Sequence, residues 1–223
     1  MPERQALARV LPFAIFILFL ALEDLAGYWL GQGHDIRWLY PVRAGLAAAV
    51  LIVLARGYGE LHRLPHNRTW LWLWSPAVGA LIFLLWINLD FGWLKLGESA
   101  GYDPREAAEG EIDWRLAAAR LAGAALVVPF MEELFWRSFL MRWIDRHAFL
   151  SLPPAAVSLK AMLLSSLVFG FAHSLWFAGF LAGLAYAWLY RASGSLWSAV
   201  VAHAVTNAML GIWVLQTGNW QFW

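Results

Sequence analysis

Apolar runs that approach 20 residues recur along the chain and constrain its fold more than any other feature. The first of them reads VLPFAIFILFLAL and begins at Val10. An α-helix needs about 20 apolar residues to cross a bilayer, where only helices and closed barrels satisfy their backbone hydrogen bonds. Hydrophobic residues make up 61% of the 223 residues and charged residues only 14%. The sequence therefore predicts an all-α, polytopic membrane protein.

The apolar runs predict about seven transmembrane helices, with eight as the upper number. The predicted spans are 9–30, 38–55, 70–89, 114–147, 156–173, 176–190 and 196–215. We expect 1–223 to form a single integral membrane domain. Within it, 1–112 hold the first three spans and an acidic outer loop, and 113–223 hold the other four spans. The first span resembles a signal peptide but lacks a small-residue cleavage site, so we expect the protein to retain it.

Lysine and arginine residues predict the orientation, because they concentrate in loops on the cytoplasmic side. With a cytoplasmic N-terminus, nine basic residues fall at the inner side and five at the outer side. The inner residues are Arg4, Arg9, Arg56, Arg63, Arg68, Arg142, Arg146, Lys160 and Arg191, and the outer residues are Arg37, Arg43, Lys95, Arg105 and Arg115. We therefore expect the N-terminus to be cytoplasmic.

One apolar stretch, LVVPFMEELFWRSFLMR, carries two glutamates and an arginine at membrane depth. Ionisable side chains at such depth are costly and usually mark functional sites. Glu133 and Arg137 lie four residues apart on one helix face and can pair, whereas Glu132 points about 100° away from Glu133. One carboxylate is thus neutralised, and Glu132 is available for chemistry. Pro129 leaves the carbonyl of Ala125 without its helical donor and is expected to bend the helix beside Glu132.

Three further polar residues, His173, His203 and Asn207, fall inside predicted spans 5 and 7. Counted from the inner helix ends at about 1.5 Å per residue, they reach the same layer as Glu132, below the middle of the membrane. His203 and Asn207 share a helix face and offer N–H donors that suit an oxyanion. Glu132 and His173 suit the activation of water. Together these residues predict attack by water on a carbonyl, although each one alone is as well explained by a structural role.

Three short motifs follow one another on these hydrophobic helices. They are Glu132-Glu133-x-x-x-Arg137, Phe169-x-x-x-His173 and His203-x-x-x-Asn207. In order and spacing they resemble the motifs of the CPBP family (Abi, or CAAX-protease and bacteriocin-processing) of intramembrane endopeptidases, which includes the type II CAAX prenyl endopeptidases. The resemblance covers roughly 116–215 and implies that 113–223 form the catalytic core, whereas the three motifs have no counterpart in spans 1–3.

The resemblance implies a glutamate-dependent hydrolase that cleaves a peptide or protein substrate in or at the membrane. Carried over to this sequence, it implies that Glu132 is the general base and that His173 helps to hold and activate water. It also implies that His203 and Asn207 stabilise the oxyanion. No cofactor is implied.

The resemblance gives supporting roles to the remaining motif residues. Glu133 is implied to be the structural partner of Arg137, and Phe169 to pack beside the site. The short length and the stretch WLYPVR at 38–43 are similar to the bacterial, exosortase-associated branch of CAAX-protease-related proteins. That similarity implies the bacterial inner membrane as the location.

Two other classes of function stay open at this point. A zinc-dependent intramembrane metallopeptidase would use Glu132, Glu133, His173 and His203 as ligands, but no HExxH motif is present and Arg137 would repel a cation. A non-enzymatic transport, immunity or scaffold protein would use the polar cluster only structurally. The chain has no cysteine, which excludes thiolate ligands, and its net charge of +1 gives no reason to expect nucleic acid as a partner.

A second group of charged residues is predicted to lie in the outer half of the membrane. The group is Glu23, Asp24, Arg43, Asp90 and Arg120. Buried charges need partners, so we expect at least one ion pair there, for instance between Arg43 and Glu23 or Asp24. Structural support is the favoured role of this group over substrate binding.

Overall fold

The computed structural model describes residues 2–30, 35–97, 99, 101–105 and 110–223, except the side chains of residues 2, 24, 26–28 and 30. Seven helices make up most of this part of the chain. They are α1 (Pro2–Leu30), α2 (Leu39–Leu54), α3 (Trp70–Asn88), α4 (Trp114–Asp145), α5 (Leu159–Phe171), α6 (Trp176–Ser193) and α7 (Leu196–Thr217). In this part of the chain, five segments are long and apolar enough to cross a membrane, and α5 is a shorter apolar helix. The five are Glu3–Glu23 of α1, Leu39–Gly57 (α2 and the turn that follows it), α3, α4 and α7. The predicted all-α, integral membrane class is confirmed.

Local side chains explain where several helices begin and end. The Asp113 carboxylate accepts the N–H of Arg115 at 2.9 Å and caps the start of α4. The Ser158 hydroxyl accepts the N–H of Ala161 at 3.1 Å and caps the start of α5 in the same way. Gly194 follows α6 with φ of +69°, a conformation that favours glycine and stops the helix.

Helix α4 changes its hydrogen-bond pattern on both sides of the glutamate pair. Segments Gly123–Val127 and Leu134–Met141 are π-helical, and Val128–Glu133 between them is α-helical. The Val128 N–H bonds the carbonyl of Gly123, five residues back. Continued by one residue, this pattern would bond Pro129 to Ala124, and Pro129 has no N–H to give. In this pattern Pro129 leaves the carbonyl of Ala124 without a helical donor, whereas the regular α-helical pattern assumed from the sequence would leave that of Ala125.

Close contacts bring α3, α5, α6 and α7 together around α4. A Cβ added to Gly183 of α6 would lie 2.9 Å from Cα of Ser166 on α5, so only glycine allows this approach. The Thr206 hydroxyl of α7 donates to the Gly79 carbonyl of α3 at 2.9 Å and accepts from the Tyr186 hydroxyl of α6 at 2.7 Å. The face of α7 that carries His203 and Asn207 is thereby fixed against two neighbouring helices.

Two connecting segments cover one end of the bundle. The Leu96 N–H donates to the Ser174 carbonyl at 2.7 Å, and the Trp176 indole N–H donates to the Trp93 carbonyl at 2.8 Å. The C-terminal turn Trp220–Phe222 packs against Tyr102, whose N–H donates to the Trp220 carbonyl. In the predicted orientation this is the outer end.

One ion pair was expected among the outer charged residues, and it is present. Arg43 Nη1 lies 2.8 Å from a Glu23 carboxylate oxygen, which confirms the predicted ion pair. Lys95 Nζ lies 3.2 Å from Asp90 Oδ1. The alternative partner, the side chain of Asp24, lies outside the described part of the chain. These pairs join α1 to α2 and fix the segment that follows α3.

A buried ion pair ties the other end of the bundle. Arg9 of α1 is fully buried, and its Nε and Nη2 lie 2.8 and 2.6 Å from the carboxylate oxygens of Glu60, in the loop after α2. The Ser138 hydroxyl of α4 also donates to Glu60. From the sequence, Arg9 was expected only to be one of the basic residues at the inner side of the membrane. In the structure it also holds α1, the loop after α2 and α4 together.

The Arg9–Glu60 pair predicts a pH dependence of stability. Burial raises the pKa of Glu60, but the hydrogen bonds and charge of Arg9, together with Ser138, lower it by more, so that it lies below the ordinary value of 4.5. The stabilisation is therefore fully present above about pH 4.5 and is lost as the pH falls through the lowered pKa of the folded protein. We expect Glu60→Gln to lower the free energy of unfolding by about 3 kcal/mol at neutral pH and by much less in acid.

Unfolding in detergent, followed at neutral pH and in acid, tests this expectation. Glu111→Gln removes an exposed carboxylate and is the matched control, with no pH-dependent difference from the wild type. An equal loss for Glu60→Gln at both pH values would contradict the prediction.

Candidate active site

The four side chains predicted to be catalytic line one cavity of about 390 Å³. Glu132 comes from α4, His173 from the turn between α5 and α6, and His203 and Asn207 from α7. The cavity extends from these residues to the covered end of the bundle, where exposed Gly97, Ser99 and Gln221 line it. Three separate parts of the sequence thus contribute side chains to one cavity.

Glu133 is held by two partners and is fully buried. Arg137 Nε lies 3.1 Å from its Oε2, as the four-residue spacing predicts. His203 Nδ1 lies 2.9 Å from its Oε1, a contact across 70 residues that the sequence analysis missed. Arg137 in turn donates to the Gly183 carbonyl at 3.2 Å, and its guanidinium lies 4.4 Å from the ring centre of Phe169. Oε1 is thus hydrogen-bonded, and Oε2 lies at ion-pair distance from Arg137 without a hydrogen bond in the described structure.

Glu132, unlike Glu133, has neither an ion pair nor a side-chain hydrogen bond among the described residues. Its Oε2 is buried and has no hydrogen-bond partner among the described residues. The side chain lines the cavity and takes no part in the contact between Glu133 and His203. A carboxylate without a protein partner beside a cavity has its lone pairs available to a water molecule or a substrate.

Hydrogen bonds to Nδ1 determine the proton position on both histidines. His173 Nδ1 lies 2.7 Å from the Phe169 carbonyl oxygen. A carbonyl only accepts, so Nδ1 carries the proton, and Nε2 of the neutral ring offers a lone pair. The Trp86 ring packs edge-on to His173 at 5.4 Å. On His203, Nδ1 donates to the Glu133 carboxylate in the same way, and the ring stacks on Tyr186 at 5.0 Å.

Asn207 is positioned by the Ala124 carbonyl of α4, which has no helical donor. Its Nδ2 donates to Ala124 O at 2.8 Å. The side-chain amide carries two N–H donors, so one donor is left after this bond. The irregular helical segment before Pro129 therefore does more than bend α4, because it supplies the acceptor that orients Asn207.

His173 lies slightly beyond the helix in which it was expected. Predicted span 5 ends at residue 173, whereas α5 ends at Phe171, and the His173 N–H bonds the Gly170 carbonyl in the following turn. Tyr186 and Thr206 also line the cavity and were not named from the sequence. An aromatic and a small hydroxyl residue on apolar helices carry no pattern that separates them from ordinary packing residues.

In the regions with described coordinates, no three or more histidine, aspartate or glutamate side chains come together in a group that suits a metal ion. Two of the four residues considered as zinc ligands, Glu133 and His203, bond each other, and Arg137 lies beside them.

The comparisons with known proteins agree with the motif resemblance. Residues 114–209 match the family described as Type II CAAX prenyl endopeptidase Rce1-like. The match confirms the CAAX-protease resemblance. It includes all three motifs and α4–α6, and it indicates a protease that acts at a membrane. No curated protein and no solved structure matches the chain. The assignment to the bacterial, exosortase-associated branch stays a prediction.

Proposed function

We propose that the protein is a glutamate-dependent intramembrane endopeptidase that hydrolyses a peptide bond of a membrane-associated protein. The observation that carries this proposal is the contrast between two adjacent carboxylates. Glu133 is hydrogen-bonded to His203 and ion-paired with Arg137, whereas Glu132 faces the cavity without an ion pair or a hydrogen bond among the described residues. The first is suited to hold the site together, and the second to accept a proton.

In the proposed reaction, a water molecule lies between the Glu132 carboxylate and Nε2 of His173, which both accept hydrogen bonds. As the water oxygen attacks the peptide carbonyl carbon, its proton moves to Glu132. The remaining N–H of Asn207 donates to the oxyanion that forms. Glu132 then passes its proton to the amide nitrogen, the C–N bond breaks, and an acid and an amine are released.

His203 stabilises the oxyanion only in its doubly protonated form. Its Nδ1 proton is directed to Glu133, so Nε2 donates a hydrogen bond only when it also carries a proton. Glu133 stabilises the resulting positive charge, and Arg137 holds that carboxylate in place. Phe169 supports the arrangement by packing against Arg137 and both histidines.

The proposal includes a location. With the orientation that the basic residues indicate, the protein lies in a bacterial inner membrane with a cytoplasmic N-terminus, and the cavity opens at the outer end. The partners are the lipid bilayer and a peptide or protein substrate.

Protein termini in intact cells test the proposed function. We expect new termini of membrane proteins in cells with the wild type and with the surface variant Glu111→Gln, and their absence in cells with Glu132→Gln. Termini that persist with Glu132→Gln would overturn the proposal. With a substrate identified in this way, cleavage by purified protein should continue in EDTA. Loss of cleavage in EDTA that zinc restores would favour the metallopeptidase.

A further inference from the structure

Arg120 lies at the far end of the row of α4 residues that faces the cavity. The cavity is lined by Arg120, Ala124, Val128 and Glu132, each four residues from the next. This spacing places all four on one face of the helix. Arg120 and Glu132 are therefore separated by at most about 18 Å along the axis, with Arg120 nearer to the open end.

Two tyrosine rings hold the Arg120 guanidinium. Its central carbon lies 4.2 Å from the ring centre of Tyr40 and 5.3 Å from that of Tyr102. Its Nε is buried and has no hydrogen-bond partner in the described part of the chain. Cation–π contacts orient a guanidinium, but they leave its charge and most of its N–H donors unsatisfied.

Arg120 differs from the other two cations that line the same cavity. Arg43 is paired with Glu23 at 2.8 Å, and Lys95 with Asp90 at 3.2 Å. Arg120 is within ion-pair distance of none of the described carboxylates, so the described lining of the cavity gives it no counter-ion. A partly buried charge without a counter-ion is costly, and the cost is recovered when an anion binds.

We infer that Arg120 binds a carboxylate of the peptide substrate. This inference rests on the proposed peptidase function and names a specificity determinant for it. A guanidinium recognises a carboxylate through two parallel N–H donors, a geometry that a neutral amide does not match. An extended peptide rises about 3.3 Å per residue, so the acidic group lies within about five residues of the bond that Glu132 cleaves. It is either the C-terminal carboxylate or an Asp or Glu side chain.

Matched peptide substrates test this inference on protein reconstituted in vesicles. A library of quenched fluorescent peptides is prepared with a free C-terminal carboxylate, with a C-terminal amide, and with each Asp or Glu replaced by Asn or Gln. The variants are Arg120→Gln, Arg120→Lys and the control Arg115→Gln, which removes an exposed arginine from the same helix.

For acidic peptides, we expect Arg120→Gln to raise KM by about 10- to 100-fold with little change in kcat, since one charge-assisted contact is lost. Neutral peptides should be cleaved as by the wild type. Arg120→Lys should restore part of the preference, and Arg115→Gln should change nothing. Loss of the preference on C-terminal amidation identifies the terminal carboxylate, and its loss on side-chain replacement identifies Asp or Glu.

Failure of the inference is distinguishable from failure of the proposed function. If Glu132→Gln still cleaves the peptides, the function is wrong. If Glu132→Gln is inactive but the wild type does not prefer acidic peptides, or Arg120→Gln keeps that preference, only the role of Arg120 is wrong. An equal loss for acidic and neutral peptides with Arg120→Gln would show that Arg120 is structural, and it also overturns the inference.

Discussion

Glu132→Gln is expected to lower kcat by about 10²- to 10⁴-fold, the range for removal of a general base. The thermal unfolding temperature should stay the same, because Glu132 Oε2 has no partner in the described structure that the substitution would remove. Glutamine keeps the size of the side chain and a hydrogen-bonding oxygen, so substrate binding should change little. Single-turnover cleavage of an identified substrate, together with unfolding in detergent, measures both quantities.

Glu111→Gln is the control for the loss of one carboxylate, and it should keep full activity. Two results would contradict the role of Glu132. One is a rate for Glu132→Gln within a few-fold of the wild type. The other is a large fall in unfolding temperature, which would show that the carboxylate is structural and that the loss of activity reflects damage to the fold.

Arg137→Met is expected to have the largest effect on stability, a loss of about 3–5 kcal/mol in the free energy of unfolding. The reason is that Glu133, which is completely buried, would lose the cation beside it and keep only His203. Methionine fills much of the same space beside Phe169, so the loss reports the charge more than the volume. Equilibrium unfolding in mixed detergent micelles provides the measurement.

The double variant Glu133→Gln/Arg137→Met separates the effect of charge from that of packing. Because neither charge remains, we expect it to recover a large part of the stability lost in Arg137→Met. Cleavage should stay low, since His203 has lost its carboxylate. If the double variant is less stable than Arg137→Met by a further full increment, the two side chains act independently and the buried pair is not the cause.

Features that repeat along a single helix could be predicted from the sequence. The apolar runs gave the seven helices, with ends within three residues of those observed except at the start of α1, which is Pro2 and not Arg9. The four-residue spacing of Glu133 and Arg137 gave their pairing, and the remaining carboxylate, Glu132, followed from the helical rotation between adjacent residues. These predictions depend only on helical periodicity, which is a property of the chain itself.

Contacts between helices could not be predicted, because they depend on how far each helix is shifted and rotated against its neighbours. Nothing in the sequence places Nδ1 of His203 against Glu133, or directs Asn207 to the Ala124 carbonyl. The π-helical segment before Pro129 also cannot be predicted from the spacing of apolar residues, and it determines which carbonyl of α4 lacks a helical donor. The position of Arg120 on the cavity face, and its lack of a carboxylate partner in the described structure, emerge only once the cavity is known.

The length of α5 has a consequence for the lipids around the protein. It has 13 residues and is about 20 Å long, whereas α7 has 22 residues and is about 33 Å long. The outer surface of α5 is apolar, with Leu159, Leu163, Leu164, Leu167, Val168 and Phe171 exposed. A hydrocarbon layer about 30 Å thick must become thinner beside so short an apolar wall. The thinner hydrocarbon layer beside α5 shortens the path between bulk water and the turn that holds His173.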